Sequence, residues 1–381
     1  MNNNKMLKKI LFLTGTRADF GKLKPLINVC NDSDLLDVYI FATGMHMHKK
    51  YGFTVKEIEK LGFKNIFKFI NYTSEKSMDL TLSKTIEGLS SYVKEERPNM
   101  IIVHGDRLEA LAGAIVGAMN NILVGHVEGG EVSGTIDDLL RHATSKMAHL
   151  HFVASETAEK RLIQLGESSD SIFKIGSPDV DIMLSDKLPT LDNVIKHYEI
   201  PFDKYAIAML HPVTTELELI ENQAKVFAKS LIDSGENYVV VYPNNDMGSE
   251  YILKVYEKYL KNNSNFILFP SLRFEYFLTL LKNANFLIGN SSTGIHEAPV
   301  YGIPTINIGS RQENRFEYQS INNVDFDLDK ILEVIKKVKK IGKYNPTNHY
   351  GTGDSADKFI KLIEGMEIWK TNAQKKFIDL V

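Results

Sequence analysis

Cysteine is nearly absent: Cys30 is the only one in 381 residues. No intramolecular disulfide is available, and no cysteine-based zinc site can be assembled. Cys30 lies in an apolar-periodic stretch, which marks it as a core residue rather than a nucleophile. There is no excess of charge. The 45 lysines and arginines stand against 48 acids, a formal net charge of −3, so nothing electrostatic favours nucleic acid. No apolar run approaches the about 18 residues that a membrane span needs, so no membrane partner is expected. The opening run Ile10 to Leu13 is shorter than the apolar part of a secretory signal and lacks a small-residue cleavage site. It reads as a first strand of a cytoplasmic protein. No GxGxxG follows Leu13, which disfavours a nicotinamide cofactor.

What is present is ordinary globular composition, 43% hydrophobic and 24% charged, in a chain long enough for two domains. Short apolar runs alternate with helical patterns throughout, which implies α/β architecture with doubly wound parallel sheets. The stretch His104 to His142 organises the first half. Asp106, Arg107 and Glu109 follow one strand-like run, and Glu128, Glu131, Asp137, Asp138 and Arg141 follow the next. The carboxyl ends of parallel strands form the ligand crevice of open α/β sheets, so these acids suit proton transfer. No HxxxH or DxD pair occurs in this stretch, and no metal is expected.

Two loops suit anions. Thr14-Gly15-Thr16-Arg17 leads from the first strand into a helix, where backbone NH groups, Arg17 and Lys22 can face a phosphate. Asn290-Ser291-Ser292-Thr293-Gly294 does the same in the second half and leads into a helix carrying His296 and Glu297. Glu297 would repel phosphate and is assigned to sugar hydroxyls. His46 stands after the second strand, His211 after the first strand of the second half, and Arg311 after a later one. Two Rossmann-like halves of this kind, with acids in one and a small-residue phosphate loop in the other, suit a nucleotide-sugar enzyme.

The motifs GTRADFGKLKPL (15–26), HGDRLEALAGA (104–114), HVEGGEVSGTIDD (126–138), GSPDVDIM (176–183), HPVTTE (211–216), YPNND (242–246), RFEYFL (273–278) and GNSSTGIHEAP (289–299) run through nearly the whole chain. In this order they resemble the hydrolysing UDP-N-acetylglucosamine 2-epimerases of bacterial sialic acid synthesis. The resemblance implies two Rossmann-like domains facing a cleft, a glycosyltransferase-B-like fold. The expected division is residues 1–183 with the acid/base carboxylates, 184–360 binding UDP, and 361–381 as a helix crossing back to the first domain.

It also implies conversion of UDP-N-acetylglucosamine and water to N-acetylmannosamine and UDP, without a cofactor, in a homodimer or higher homo-oligomer. By motif, Asp106, Glu128 and Asp137 are the acid/base set and His211 is the histidine on the diphosphate side. Arg17, Lys22, Asn244, Ser291, Ser292, Glu297 and Arg311 match nucleotide-contacting positions, while Arg107 and Arg141 match positions beside the reacting sugar. In the wider superfamily the residue matching Asp137 is often Glu, so the carboxylate is kept on a shorter arm.

The chemistry is consistent with that route. The C2 proton of the sugar is poorly acidic until the C1–O bond breaks, so UDP departure comes first and a carboxylate then takes the proton. Water adds at C1 of the resulting 2-acetamidoglucal, and a proton returns to C2 from the other face. Crowding of like charges is expected to raise the pKa of one carboxyl. The competing readings are the same reaction on a 2,4-diacetamido-2,4,6-trideoxy sugar nucleotide, a glycosyltransferase on the same fold, and a non-catalytic nucleotide-sugar sensor.

Overall fold

The computed structural model describes residues 7–49, 52–72, 77–133, 136–244, 246–376 and 378–379. The chain divides into two compact units. One runs to Leu184 and takes up the chain again from His349; the other is Ser185–Asn348. The first unit is built on β1 (Lys8–Thr14), β2 (Leu36–Ala42), β3 (Asn65–Lys68), β4 (Met100–His104), β5 (Leu123–Val127), β6 (Leu150–Val153) and β7 (Ile172–Lys174). Their spatial order is β3-β2-β1-β4-β5-β6-β7, and every pairing is parallel. The second unit repeats the plan with β8 (Ala206–Met209), β9 (Tyr238–Val241), β10 (Phe266–Phe269), β11 (Leu287–Gly289), β12 (Thr305–Ile308) and β13 (Ile321–Val324). Their order is β10-β9-β8-β11-β12-β13, again all parallel. Each sheet therefore reverses its winding once, between β1 and β4 and between β8 and β11, the places where open α/β sheets bind ligands.

The central strands are apolar along their whole length because helices cover both faces. Ile10 to Leu13 and Met100 to Val103 are all buried. Helix Arg17–Asn31 presents Leu23, Leu26, Ile27 and Cys30 to one face of the first sheet at helical spacing. Each such aliphatic side chain contributes about 1.5–3 kcal/mol on burial. Helix Leu108–Met119 lies against the other face, and its glycines set how close it comes. A Cβ at Gly113 would stand 2.6 Å from Val103 and 2.7 Å from Leu13, and one at Gly117 would overlap Val124. The Ala/Gly composition of this helix thus fixes where Gly105 to Arg107 emerge from β4.

The returning segment joins the first unit through the N-terminus of helix Ser355–Glu364. Asp181 accepts from the backbone of Ser355 (2.9 Å) and Ala356 (2.7 Å), groups with no partner inside the helix. Phe359 and Ile363 are buried in the first core, with Phe359 edge-on to Phe152 at 4.8 Å. The return begins at His349, where the reading of the sequence had put a crossing helix from 361. The returning segment carries one α-helix, Ser355–Glu364, followed by a 3-10 turn, Glu367–Lys370. No helix among the described residues is long and apolar enough to cross a membrane.

Other differences have local causes. The strand Ile321–Val324 went unforeseen: its residues Ile-Asn-Asn-Val lie at the sheet edge and are half-buried or exposed, so no apolar run announces it. The run Tyr51–Leu61, closed by Gly62, reads as a helix in the sequence but is helical only over Val55–Glu59, and Tyr51 lies outside the described residues. The segment after Gly294 is two 3-10 turns, Ser292–Gly294 and Ala298–Tyr301, rather than an α-helix. Pro299 lacks the NH that would have bonded Ile295, which stops helical propagation.

Gly289, at φ +134°, ends β11 where a Cβ would overlap the Met209 carbonyl across the sheet. Gly289→Ala is expected to destabilise the protein by more than about 3 kcal/mol. Gly235, at φ +70° with open space around its Cβ position, is the control: Gly235→Ala should cost only about 1 kcal/mol. Denaturant unfolding of both variants measures the contrast.

Candidate active site

The carboxyl ends of β1, β4 and β5 gather a charged network in the first unit. It starts at the turn after β1. Thr16 caps helix Arg17–Asn31 by accepting from the Asp19 NH at 3.1 Å. The Asp19 carboxylate turns back to accept from the Gly15 NH at 3.0 Å. Its other oxygen is 3.0 Å from Nδ1 of His104, the last residue of β4. Nε2 of the same ring is 3.1 Å from Oε2 of Glu128, just past β5. Lys22 lies 3.7 Å from that oxygen and 2.9 Å from Asp179, and Ser177 donates to Glu128.

The electrostatics follow from these contacts. Burial works against a charge on His104, but Glu128 and Asp19 outweigh it and raise its pKa to about 9. Burial would likewise raise the Asp19 carboxyl, yet His104 and the Gly15 NH hold it below its ordinary value. Glu128 itself sits at φ +59°, a strained backbone for a residue with a Cβ. Two bonds hold it there: its NH donates to Phe152 (2.9 Å), and its carbonyl accepts from Arg141 (2.6 Å).

A second cluster abuts the first. The Arg141 guanidinium, on helix Ile136–Met147, pairs with Asp106 and donates to Ser133 at 3.0 and 3.1 Å, while Ser133 donates to Asp106 at 2.6 Å. Arg141 thus bonds Asp106, Ser133 and the Glu128 carbonyl. Asp137 is half-buried in the first turn of that helix, and its field reaches Arg107. Arg107 is 3.2 Å from Glu109, whose carboxylate is packed against Gly15 and Gly44. His126 donates from Nε2 to the Gly105 carbonyl (2.8 Å) and meets Ser145 at 3.0 Å, which fixes the turn that presents Asp106. Its pKa is lowered to about 3, chiefly by burial, so the ring is neutral.

The acids are thus interleaved with cations. The nearby carboxyl whose pKa is raised is Glu131, through burial first and despite the Arg141 charge; Glu128 adds to the rise. Arg17 and His46 take other partners. Arg17 pairs with Glu57. His46 is buried, its two nitrogens 3.0 Å and 2.8 Å from the hydroxyls of Thr14 and Thr54, and burial lowers its pKa to about 4. Expected among ligand contacts, in this arrangement it holds the loop and presents no free ring nitrogen. Among the described residues no group of three or more His, Cys, Asp or Glu could hold a metal ion.

The second unit has its own cluster where its sheet reverses winding. Asn290, past β11, bridges to His211, past β8: its side chain accepts from the His211 NH (2.7 Å) and donates to the His211 carbonyl (2.8 Å). The ring Nδ1 of His211 accepts from the Asn244 NH at 3.0 Å, which leaves the ring proton on Nε2. Burial, with Arg311 adding to it, lowers the His211 pKa to about 3, so this histidine is a neutral donor. Arg311 donates to the Asn290 carbonyl at 3.1 Å. Ser291 caps the turn that follows by accepting from the Thr293 NH at 3.3 Å, Ser292 is exposed on it, and Glu297 is buried at the start of the next turn. Six of the predicted residues, Asn244, Ser291, Ser292, Glu297, His211 and Arg311, are brought to this end of the sheet or the turns beyond it.

Sequence reasoning missed Asp19, His104, Ser133, Ser177 and Asp179. His104 had a signal, as the last residue of a buried strand directly before Gly105-Asp106. Asp19 had a weaker one, three residues after a capping threonine, where an acid is usually only a dipole partner. Ser133 lies in the segment after β5, and Ser177 and Asp179 are the cap and a first-turn residue of helix Pro178–Met183; no local pattern ties them to Glu128 or Asp106.

Comparison with known proteins supplies the remaining context. The family model for UDP-N-acetylglucosamine 2-epimerase matches residues 28–364. The UDP-N-acetylglucosamine 2-epimerase of Neisseria meningitidis serogroup B is 47% identical over 377 residues, 98% of this chain and all of the relative. The hydrolysing UDP-N,N'-diacetylbacillosamine 2-epimerase of Legionella pneumophila is 33% identical over 364 residues, 94% of this chain and 96% of the relative. A crystal structure of a Neisseria meningitidis UDP-GlcNAc 2-epimerase bound to UDP-GlcNAc superposes with a TM-score of 0.80 at 18% identity, covering 94% of this chain and 100% of that one. That likeness shows the two-domain, glycosyltransferase-B-like α/β fold. Because the match runs through both units and almost end to end, this protein belongs to the UDP-N-acetylglucosamine 2-epimerase family.

Proposed function

We propose that this protein is a hydrolysing 2-epimerase that converts UDP-N-acetylglucosamine and water to N-acetylmannosamine and UDP, and that it supplies the first sugar of sialic acid synthesis. The observation that carries the chemistry is the set of carboxylates at the ends of β4 and β5, each beside a cation: Glu128 with His104 and Lys22, and Asp106 with Arg141. Such acids remain anions after leaving water and can accept a proton. In the proposed reaction the C1–O bond breaks with its electron pair leaving on UDP. A carboxylate of the set Asp106, Glu128 and Asp137 then removes the C2 proton, giving 2-acetamidoglucal. Water adds its hydroxyl to C1, and a carboxyl returns a proton to C2 from the opposite face. Arg107 and Arg141 flank these acids, and Lys22 serves the same network.

UDP is assigned to the cluster of the second unit. The His211 Nε2–H is a neutral donor for a diphosphate oxygen, Arg311 adds charge, and Asn244, Ser291 and Ser292 add hydrogen-bonding groups. Glu297 is assigned to sugar hydroxyls. Arg17 is assigned to the nucleotide as well, an assignment that requires it to leave Glu57.

The hydrolysing outcome and the pathway draw on relatives. The 47% identical relative carries the name UDP-N-acetylglucosamine 2-epimerase, and the Escherichia coli polysialic acid biosynthesis protein P7 is 30% identical over 98% of this chain. A second reading, hydrolysis of a UDP-linked 2,4-diacetamido-2,4,6-trideoxy sugar, draws on the Legionella relative and on a 35% identical Campylobacter jejuni enzyme whose names carry that substrate type.

Purified protein given UDP-N-acetylglucosamine in heavy water, with no acceptor sugar, is expected to release free N-acetylmannosamine carrying deuterium at C2, seen by proton NMR. A product still linked to UDP would refute hydrolysis, and turnover of the diacetamido nucleotide alone would favour the second reading. Asp106→Asn and Glu128→Gln should each lower kcat by about 10²–10⁴ with UDP affinity nearly intact. Ser291→Ala combined with Arg311→Ala should instead raise the Kd for UDP roughly tenfold or more by calorimetry.

A further inference from the structure

The contacts of His104 set its protonation state. Each ring nitrogen lies within hydrogen-bond distance of a carboxylate oxygen, Asp19 at 3.0 Å and Glu128 at 3.1 Å. A carboxylate only accepts, and a neutral imidazole has one NH to give. The two bonds form together only when both nitrogens carry protons. Asp19 is in turn held by two backbone-level bonds, the Gly15 NH on its carboxylate and the Thr16 hydroxyl on its own NH. The ring therefore has a fixed anchor on one side and Glu128 on the other. This part of the network is buried, His104 and Asp19 each being 9% exposed at the side chain.

We infer that Asp19 and His104 are positioning residues for the reaction proposed above: Asp19 holds His104 as an imidazolium, and the imidazolium holds Glu128 as an anion with one carboxylate oxygen fixed. The inference rests on that reaction only for its kinetic consequence. The charge state stands on the geometry, and the raised His104 pKa agrees with it. The other charged groups around the ring do not replace its role. Lys22 divides its charge between Glu128 and Asp179, with the shorter contact to Asp179. Arg141 donates to the Glu128 carbonyl and is paired with Asp106, so its charge is shared between the two acids. His126, which pairs with Val103 on the neighbouring strand, is neutral and donates to Gly105.

Asp19→Asn separates charge from shape. The Gly15 NH requires an acceptor, so the amide oxygen takes that side and the amide NH2 faces Nδ1 of His104. The ring must then give up its Nδ1 proton. It keeps Nε2–H on Glu128, and only the positive charge is lost. Glu128 then titrates higher. The acid limb of the kcat/KM profile is expected to move up by about one pH unit, with about tenfold loss below the wild-type midpoint. The loss should recover to within about threefold of wild type near pH 8.5, while KM changes little. Damage to the fold would lower the rate at every pH. His104→Gln, which keeps a donor toward Glu128 without charge, should show the same displaced limb.

Nitrogen-15 NMR of the histidine rings reads the inference without any turnover. His104 should show two protonated nitrogens in the wild-type protein near pH 7.5 and one, Nε2, in the Asp19→Asn variant. A neutral wild-type ring would overturn the inference even in an active enzyme. So would an Asp19→Asn profile with an unmoved acid limb. Wild-type protein that shows the imidazolium but turns over no nucleotide sugar would refute the proposed reaction and leave the charge assignment standing.

Discussion

A carboxylate removed from water stays ionised only if cations and donors replace its solvent. That constraint shapes the first unit more than any other. Asp19, Asp106, Glu128 and Asp179 all have such partners: His104, Arg141, Lys22 and the hydroxyls of Ser133 and Ser177. Like charges that would repel each other in isolation are separated by groups of opposite sign. The result is a chain of paired ions running from the first turn after β1 to the loop after β7. Its members come from the ends of four strands, β1, β4, β5 and β7, and the segments that follow them, so it exists only once the sheet has brought those carboxyl ends side by side.

The two units solve different problems with one topology. Each sheet reverses its winding once, and each places its polar groups there. In the first unit the groups are charged and alternate in sign. In the second they are mostly neutral: the Asn290 amide spans from one strand end to the other, and His211 keeps a single proton aimed away from Asn244. A histidine with its pKa raised to about 9 and another lowered to about 3 thus occupy comparable places in the two sheets. Burial lowers both: beside His104 two carboxylates outweigh it, whereas beside His211 the Arg311 charge adds to it.

Much of this was legible in the sequence. The apolar runs and their spacing marked most strands. Asp106, Glu128 and Arg141 were legible because they directly follow apolar runs or share one short stretch. The rest was hidden for physical reasons. Asp19, Ser177 and Asp179 acquire their roles only through partners more than eighty residues away in sequence or in loops without periodicity. His46 looked like a loop histidine open to ligand, yet two threonines enclose it, and nothing in its neighbours' spacing shows which way a ring turns. The turn after Gly294 kept the composition of a helix start, but Pro299 removed the donor that would have extended it.

The backbone of Glu128 carries one more consequence. A left-handed conformation at a residue with a side chain costs on the order of 1–3 kcal/mol, and glycine would escape most of it. Variation at this position is therefore pulled two ways: a sequence drifting toward robustness would discard the acid, and one retaining the acid must keep Arg141 and Phe152 in place to restrain the chain. The bend after β5 behaves as a small tensioned joint, and its tolerance to change is set by the residues that clamp it.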